Sequence, residues 1–310
     1  LKFRSLFIFS ILFFLSPLIR ADQTYLIHPN DLKNHVIALA SIYPYRNYQN
    51  PDSLNKTAEY IRKKLLSYGL SPKEQVFQVR EVTYKNLEFE IGPTSEKKIV
   101  IGAHYDVAGD QQGADDNASG VAALLELAKI LKLQEKNLKY RVHLVAYTLE
   151  EPPYFRTESM GSFKHAKSLR DKNEEIELMI SLETIGYYSE EKGSQDYPVW
   201  PLSWIYPSQG NFIALVGRNK ESEYLSLLKK VYNSKTTIPC ESIAAPESLS
   251  GIDFSDHLNY WKFNYKAIMI TDTAFLRNKN YHETSDLPET LNYDKIAEVI
   301  RGLAHFLTGK

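Results

Sequence analysis

The chain has 310 residues, with 37 Lys and Arg against 38 Asp and Glu, 43% hydrophobic residues and one cysteine, Cys240. A chain this long and this apolar buries a core, which excludes general disorder. Near-neutral charge without a basic block excludes nucleic acid as the main partner. A lone cysteine excludes a disulfide framework and a cysteine-based zinc knuckle, so any metal must take its ligands from His, Asp and Glu.

Lys2 and Arg4 precede an almost wholly apolar run, Leu6 to Leu18, and Ile19-Arg20-Ala21 offers a cleavage site before Asp22. The run is shorter than the ~20 residues of a membrane span. Residues 1–21 are therefore expected to be an export signal, and residues 22–310 one domain. An uncleaved anchor is the alternative. Losing Lys2, Arg4 and Arg20 with no acid leaves the mature chain mildly acidic. It is expected to be periplasmic or secreted, monomeric, and without a stable membrane partner.

Beyond the signal, helical and strand periods alternate. Ala58-Tyr60-Ile61-Leu65-Leu66 has helical spacing and stops at Gly69, while Gln75–Val79 and Leu87–Ile91 alternate as half-buried strands do. Lys98–Gly102 reads as a fully buried strand, Val121–Leu131 as a helix, Val142–Ala146 as a buried strand and Gly161–Leu169 as a helix. Strand patterns recur at Ile176–Leu182, Phe212–Val216 and Ala267–Ile270, and helices are expected at Glu221–Val231, Asp256–Phe263 and Lys295–Leu307. The pattern predicts a single α/β domain with a mixed, largely parallel sheet covered by helices on both faces.

In such sheets ligands sit beyond the carboxyl ends of the strands. One end delivers His104 and Asp106, the next Glu150 and Glu151, the next Glu183, and the last leads to Tyr281 and His282. His104 and Asp106 share one side of an extended chain, so the Asp can steady the imidazole by its second nitrogen. In Gly113-Ala-Asp-Asp-Asn-Ala-Ser-Gly120, small residues surround buried-looking acids ahead of a helix, with Asn117 or Ser119 as a possible cap. Asp256-His257 reads as a helix cap, and His282 with Thr284-Ser285-Asp286 as a turn. The neighbours Glu150 and Glu151 leave the chain in opposite directions, so one can bind metal while the other takes a proton from water.

These segments, in this order, resemble the co-catalytic di-zinc aminopeptidases: Gly102-Ala-His-Tyr-Asp106, Gly113 to Gly120, Glu150-Glu151, Gly161-Ser162, Ser255-Asp256-His257, Thr271-Asp272 and Arg277 to Asp286. The match spans about residues 50–308. The resemblance implies a zinc-exopeptidase-like fold, peptide substrates and two Zn²⁺ ions. His104 and Glu183 would hold one ion, Glu151 and His282 the other, and Asp116 would bridge both. Glu150 would be the general base, Asp106 the partner of His104, and Tyr281 an oxyanion donor. The family also tends to have a cis peptide after its bridging aspartate, here Asp116-Asn117. Spacing leaves Asp115 and Asp116 open as the bridging acid, and the resemblance points to Asp116. Glu183 departs from the family's usual Asp, and Pro152–Met160 is a longer loop than usual.

Three rival readings share the fold: a single-zinc glutaminyl cyclase, a carboxypeptidase, and a binding relative without catalysis. The intact Gly-Ala-Asp-Asp segment and the filled ligand positions favour the hydrolase. No Gly-x-Ser-x-Gly elbow supports a serine hydrolase. His28, His35, His143, His165 and His305 read as packing or surface residues, Cys240 as a small buried hydrophobe, and the aromatic segment Tyr187–Pro207 as a pocket wall.

Overall fold

A computed structural model describes residues 25–94 and 97–310. The expected signal, residues 1–21, lies outside the described residues. The chain begins with two helices, α1 (Pro29–Ala40) and α2 (Pro51–Ser67), each with proline in its first turn, where no amide partner is lost. Strands β1 (Lys73–Val79), β2 (Val82–Ile91) and β3 (Lys98–His104) follow, then α3 (Gly120–Leu133), β4 (Arg141–Tyr147), α4 (Gly161–Asp171) and β5 (Ile176–Glu183). The remainder is β6 (Ile213–Gly217), α5 (Ser222–Lys235), β7 (Cys240–Ala244), α6 (His257–Lys262), β8 (Ala267–Thr271) and α7 (Tyr293–Thr308).

All eight strands form one sheet in the order β1-β2-β4-β3-β5-β8-β6-β7. Pairing is parallel for β4–β3, β3–β5, β5–β8 and β6–β7, and antiparallel for β1–β2, β2–β4 and β6–β8. The sheet is mixed and mostly parallel, as the sequence pattern predicts. Side chains alternate between two apolar layers along each central strand. Ile99, Ile101, Val142, Leu144, Leu178 and Ile180 pack against α1, α2, α3, α5 and α7. Val100, Val145, Met179, Ala267 and Met269 face the other way, toward α4 and α6. Covering on both faces explains why β3, β4 and β5 read as continuous apolar runs.

The expected elements are present, with ends differing by a few residues. Two elements go beyond the sequence reading: α1, and the short edge strand β7 that starts at Cys240. No helix among the described residues is long and apolar enough to cross a membrane. The parallel run β4-β3-β5-β8 matters most for function, because it brings four carboxyl ends to one edge of the sheet.

Candidate metal centre

The last residue of β3 is His104 and the last of β5 is Glu183, while Glu150-Glu151 follows β4 after a short turn. The loop between β3 and α3 carries Asp116 to the same edge. Two glycines make this loop possible. At Gly113 φ is +57°, and a Cβ would stand 2.2 Å from the Asp116 carbonyl; at Gly120 it would stand 2.8 Å from the Leu182 carbonyl. Asp286 accepts the amide hydrogens of Asp115 and Asp116 at 2.9 and 3.0 Å. Asn117 donates to the Leu182 carbonyl at 2.8 Å and accepts from the Gly120 and Thr184 amides. The loop is thereby fixed to the end of β5.

The geometry separates the two acids. Asp116 Oδ1 lies 3.2 Å from His104 Nε2, and Oδ2 lies 3.0 Å from His282 Nε2, so this carboxylate spans both imidazoles. Asp115 instead accepts from the Gly186 amide at 2.8 Å and the Asn278 side chain at 2.9 Å. Glu183 Oε2 reaches to 3.3 Å from His104 Nε2, so its extra methylene does not take it out of the centre. Glu151 Oε2 is 3.3 Å from His282 Nε2, and Glu150 Oε2 is 3.9 Å from His104 Nε2. The Asp116-Asn117 peptide is cis, as the resemblance implies.

Asp106 differs from the simple expectation. Its carboxylate accepts the amides of Glu150 and Glu151, both at 3.1 Å, and so fixes the turn that carries them. His104 Nδ1 is 3.2 Å from the Asp106 backbone carbonyl and 3.7 Å from its carboxylate. The same residue thus steadies both the imidazole and the acid pair. Asp256 stands at the start of α6 without a side-chain capping bond. Ser255, beside it, donates to Glu183 Oε2 at 2.7 Å.

Burial and mutual charge shape the electrostatics. Burial first, then the charges of Glu183 and Glu151, pushes the Glu150 carboxyl well above its ordinary pKa. Burial and Asp116 raise Glu151 to about 8. Burial opposes charge on His282, but the Asp116 and Glu151 carboxylates lift it to about 10. Tyr281 stacks on His282 with ring centroids 3.9 Å apart, and burial beside the acids keeps its phenol protonated. Arg46, fully buried, donates to the carbonyls of Gln112 and Gly113 and sets a positive charge behind the acids.

Whether these residues fit a metal is decided by unpaired atoms. His104 Nε2, both carboxylate oxygens of Asp116 and Glu151 Oε1 are buried without a hydrogen-bond partner. Buried polar atoms of this kind are costly unless a ligand satisfies them. Imidazole nitrogens and carboxylate oxygens are the donor set zinc takes. Among the described residues two groups converge tightly enough to hold a metal: His104, Asp116 and Glu151, and a separate set, Glu88, His143 and His165. A largely apolar cavity of about 110 Å³ opens beside the centre, with Glu183 and Tyr281 on its wall. Tyr197, Leu202 and Tyr206 of the aromatic segment line it, whereas Trp200 and Trp204 of that segment are exposed.

Fold and site together define a metal-dependent hydrolase of the α/β exopeptidase type. Peptidase family M28 matches residues 86–307, and the chain belongs to that family. It is a metallopeptidase. A protein of Escherichia coli K12, described as uncharacterized protein YfbL, is 45% identical over 287 residues, covering 90% of this chain and 87% of its own length. A probable leucine aminopeptidase of Arthroderma otae is 26% identical over 70% of this chain, which spans 54% of that relative. In fold, the chain is similar to the LapA aminopeptidase of Legionella pneumophila (TM-score 0.71, 19% identity, 91% of this chain and 71% of that one). The glutaminyl cyclase of Bacteroides thetaiotaomicron is comparably similar (TM-score 0.68, 16% identity, 91% and 98%).

Sequence reasoning missed Arg46, Ser255 and Asp286. None is a candidate ligand, and each acts on a segment remote in the chain. The Ser255-Asp256-His257 and Arg277 to Asp286 segments were the available signals for Ser255 and Asp286, and nothing in the sequence pointed to Arg46.

Proposed function

We propose that the protein is a zinc-dependent exopeptidase that removes residues from the amino ends of peptides. The observation that carries this reading is the set of buried, unpaired donor atoms on His104, Asp116 and Glu151 at one sheet edge. His104 and Glu183 would hold one ion, Glu151 and His282 a second, and Asp116 would serve both. Zinc, when bound, supplies Lewis acidity that polarises a carbonyl and makes water acidic near neutral pH.

The chain's own groups do the rest. Glu150, not assigned to metal, takes the proton of the attacking water and returns it to the leaving amine. Its buried position makes the protonated form accessible for that second step. Tyr281 keeps its proton and donates to the developing oxyanion. The apolar cavity holds the side chain of the residue removed. The names of the fungal relatives, leucine aminopeptidases, support the choice of the amino end.

A panel of aminoacyl nitroanilides, the same compounds with blocked amines, carboxypeptidase substrates and glutaminyl peptides tests the reading. Zinc-dependent release from the free-amine compounds alone is expected. Pyroglutamate formation with one tightly held zinc would replace the hydrolase with a cyclase, and hydrolysis from the carboxyl end would reverse the polarity.

A further inference from the structure

The second convergent group lies away from the strand-end centre. His143 precedes Tyr147, the last residue of β4, by four positions, and Tyr147 pairs with His104 across the sheet. At ~3.3 Å per residue this is about 13 Å along the strand. Glu88 lies on the neighbouring β2, and His165 projects from α4 over the same face. His143 Nε2 and His165 Nε2 approach one oxygen, Glu88 Oε2, at 3.0 and 3.1 Å. The two rings stand 4.8 Å apart at 75°.

We propose that Glu88, His143 and His165 form a separate zinc site that ties β2 and β4 to α4. Three observations carry it. The three donor atoms lie within 4.8 Å of one another, and bonds of ~2.0–2.2 Å place tetrahedral ligand atoms roughly 3.3 Å apart. One second nitrogen has the oxygen partner a bound imidazole takes: His165 Nδ1 is 2.6 Å from the Tyr260 hydroxyl, itself 2.6 Å from that of Tyr147, while His143 Nδ1 lies 3.4 Å from Glu90 Oε1 without a hydrogen bond. Finally, a cavity of about 440 Å³ with Glu88 and His143 on its wall gives an ion and a fourth, water ligand access.

The surrounding charges permit a cation. Lys98 is held by Glu90 at 2.5 Å and by Glu174, and Arg141 Nε lies 3.9 Å from Glu90. The cationic groups nearest the site are therefore already matched by acids. Burial holds His165 down to a pKa of about 4, so its ring is neutral at working pH. Two imidazoles and one carboxylate select zinc or cobalt over magnesium or calcium, which prefer oxygen throughout.

The alternative is a carboxylate that simply accepts two imidazole hydrogens. Titration of the chelator-stripped full chain with Zn²⁺ by calorimetry, and with Co²⁺ by visible absorption, separates the two. Wild type is expected to bind one equivalent beyond those of the strand-end centre, with a tetrahedral cobalt spectrum. Glu88→Gln and His165→Gln lose that equivalent and its zinc-dependent rise in Tm, while the rate of substrate hydrolysis stays unchanged. His104→Ala, which strips the strand-end centre, keeps it. Should His165→Gln fail to fold, Glu88→Gln at a partly exposed position still gives the answer. Equal stoichiometry in wild type, Glu88→Gln and His143→Gln would overturn the proposal and leave a hydrogen-bonded cluster.

Discussion

Glu150 and Glu151 are adjacent in the chain and both nearly buried, yet they face different partners. Glu151 meets His282 at 3.3 Å, whereas the nearest imidazole nitrogen to Glu150 is 3.9 Å away. On the proposed mechanism, Glu150→Gln keeps the size of the group and cannot accept a proton. It is expected to lower kcat by ~10²–10⁴-fold, with KM little changed. Zinc content measured on the same sample should match wild type. Normal turnover would remove Glu150 from the mechanism. Ser255 gives a complementary test, because its hydroxyl donates to Glu183 and touches nothing that reacts. Ser255→Ala is expected to weaken zinc by ~10–100-fold, the range for losing a hydrogen bond behind a ligand. Activity should return when zinc is supplied in excess.

At the scale of elements, the loop between β3 and α3 is the exacting part of the site. It runs through Gly120, whose position leaves no room for a side chain: an added Cβ would lie 2.4 Å from Asn117 Oδ1 and 2.8 Å from the Leu182 carbonyl. Gly120→Ala must push the loop away from β5. It is expected to cost about 1–3 kcal/mol, the usual range for overpacking, and to reduce zinc content because Asp116 moves with the loop. A thermal melt beside metal analysis checks both effects; a change in neither would mean that the loop gives way without disturbing Asp116. The elements that build the centre were legible for a physical reason. Strands covered on both faces read as unbroken apolar runs, and their carboxyl ends carry the acids and imidazoles in plain view. β7 was not legible, because an edge strand with Glu241 and Ser242 in it lacks such a run. In α1 the buried His35, bonded to Tyr60 and near Glu126, interrupts an otherwise apolar stripe. Asp286 and Arg46 act on backbone groups far along the chain, and Glu88, His143 and His165 come from three separate elements. No local spacing announces such contacts.

Across the whole molecule, both apolar layers admit polar groups. His35 and Glu126 lie buried between α1 and α3, and the layer under α4 and α6 holds others close to the sheet. His257, fully buried at the start of α6, is one of them. Its Nε2–H donates to the Ile252 carbonyl at 2.7 Å, and its ring meets Trp261 edge-on at 4.6 Å. Burial, opposed by that hydrogen bond and helped by the nearby Arg218 charge, lowers its pKa to about 4. In the unfolded chain a histidine titrates near ~6.5. Between those values the unfolded state binds the extra proton, so stability falls as pH drops from about 6.5 to about 4 and levels off below. The full contribution is at most about 3 kcal/mol at ~1.36 kcal/mol per pKa unit. His257→Gln keeps an amide donor for Ile252 and does not titrate. The variant is therefore expected to be less stable than wild type at neutral pH or equal to it, and to lose less stability on acidification. Tm measured across this pH range for both proteins gives the comparison. Parallel slopes would show that His257 carries no part of the acid sensitivity, and that the buried imidazole gains a proton without opening the layer beneath α6.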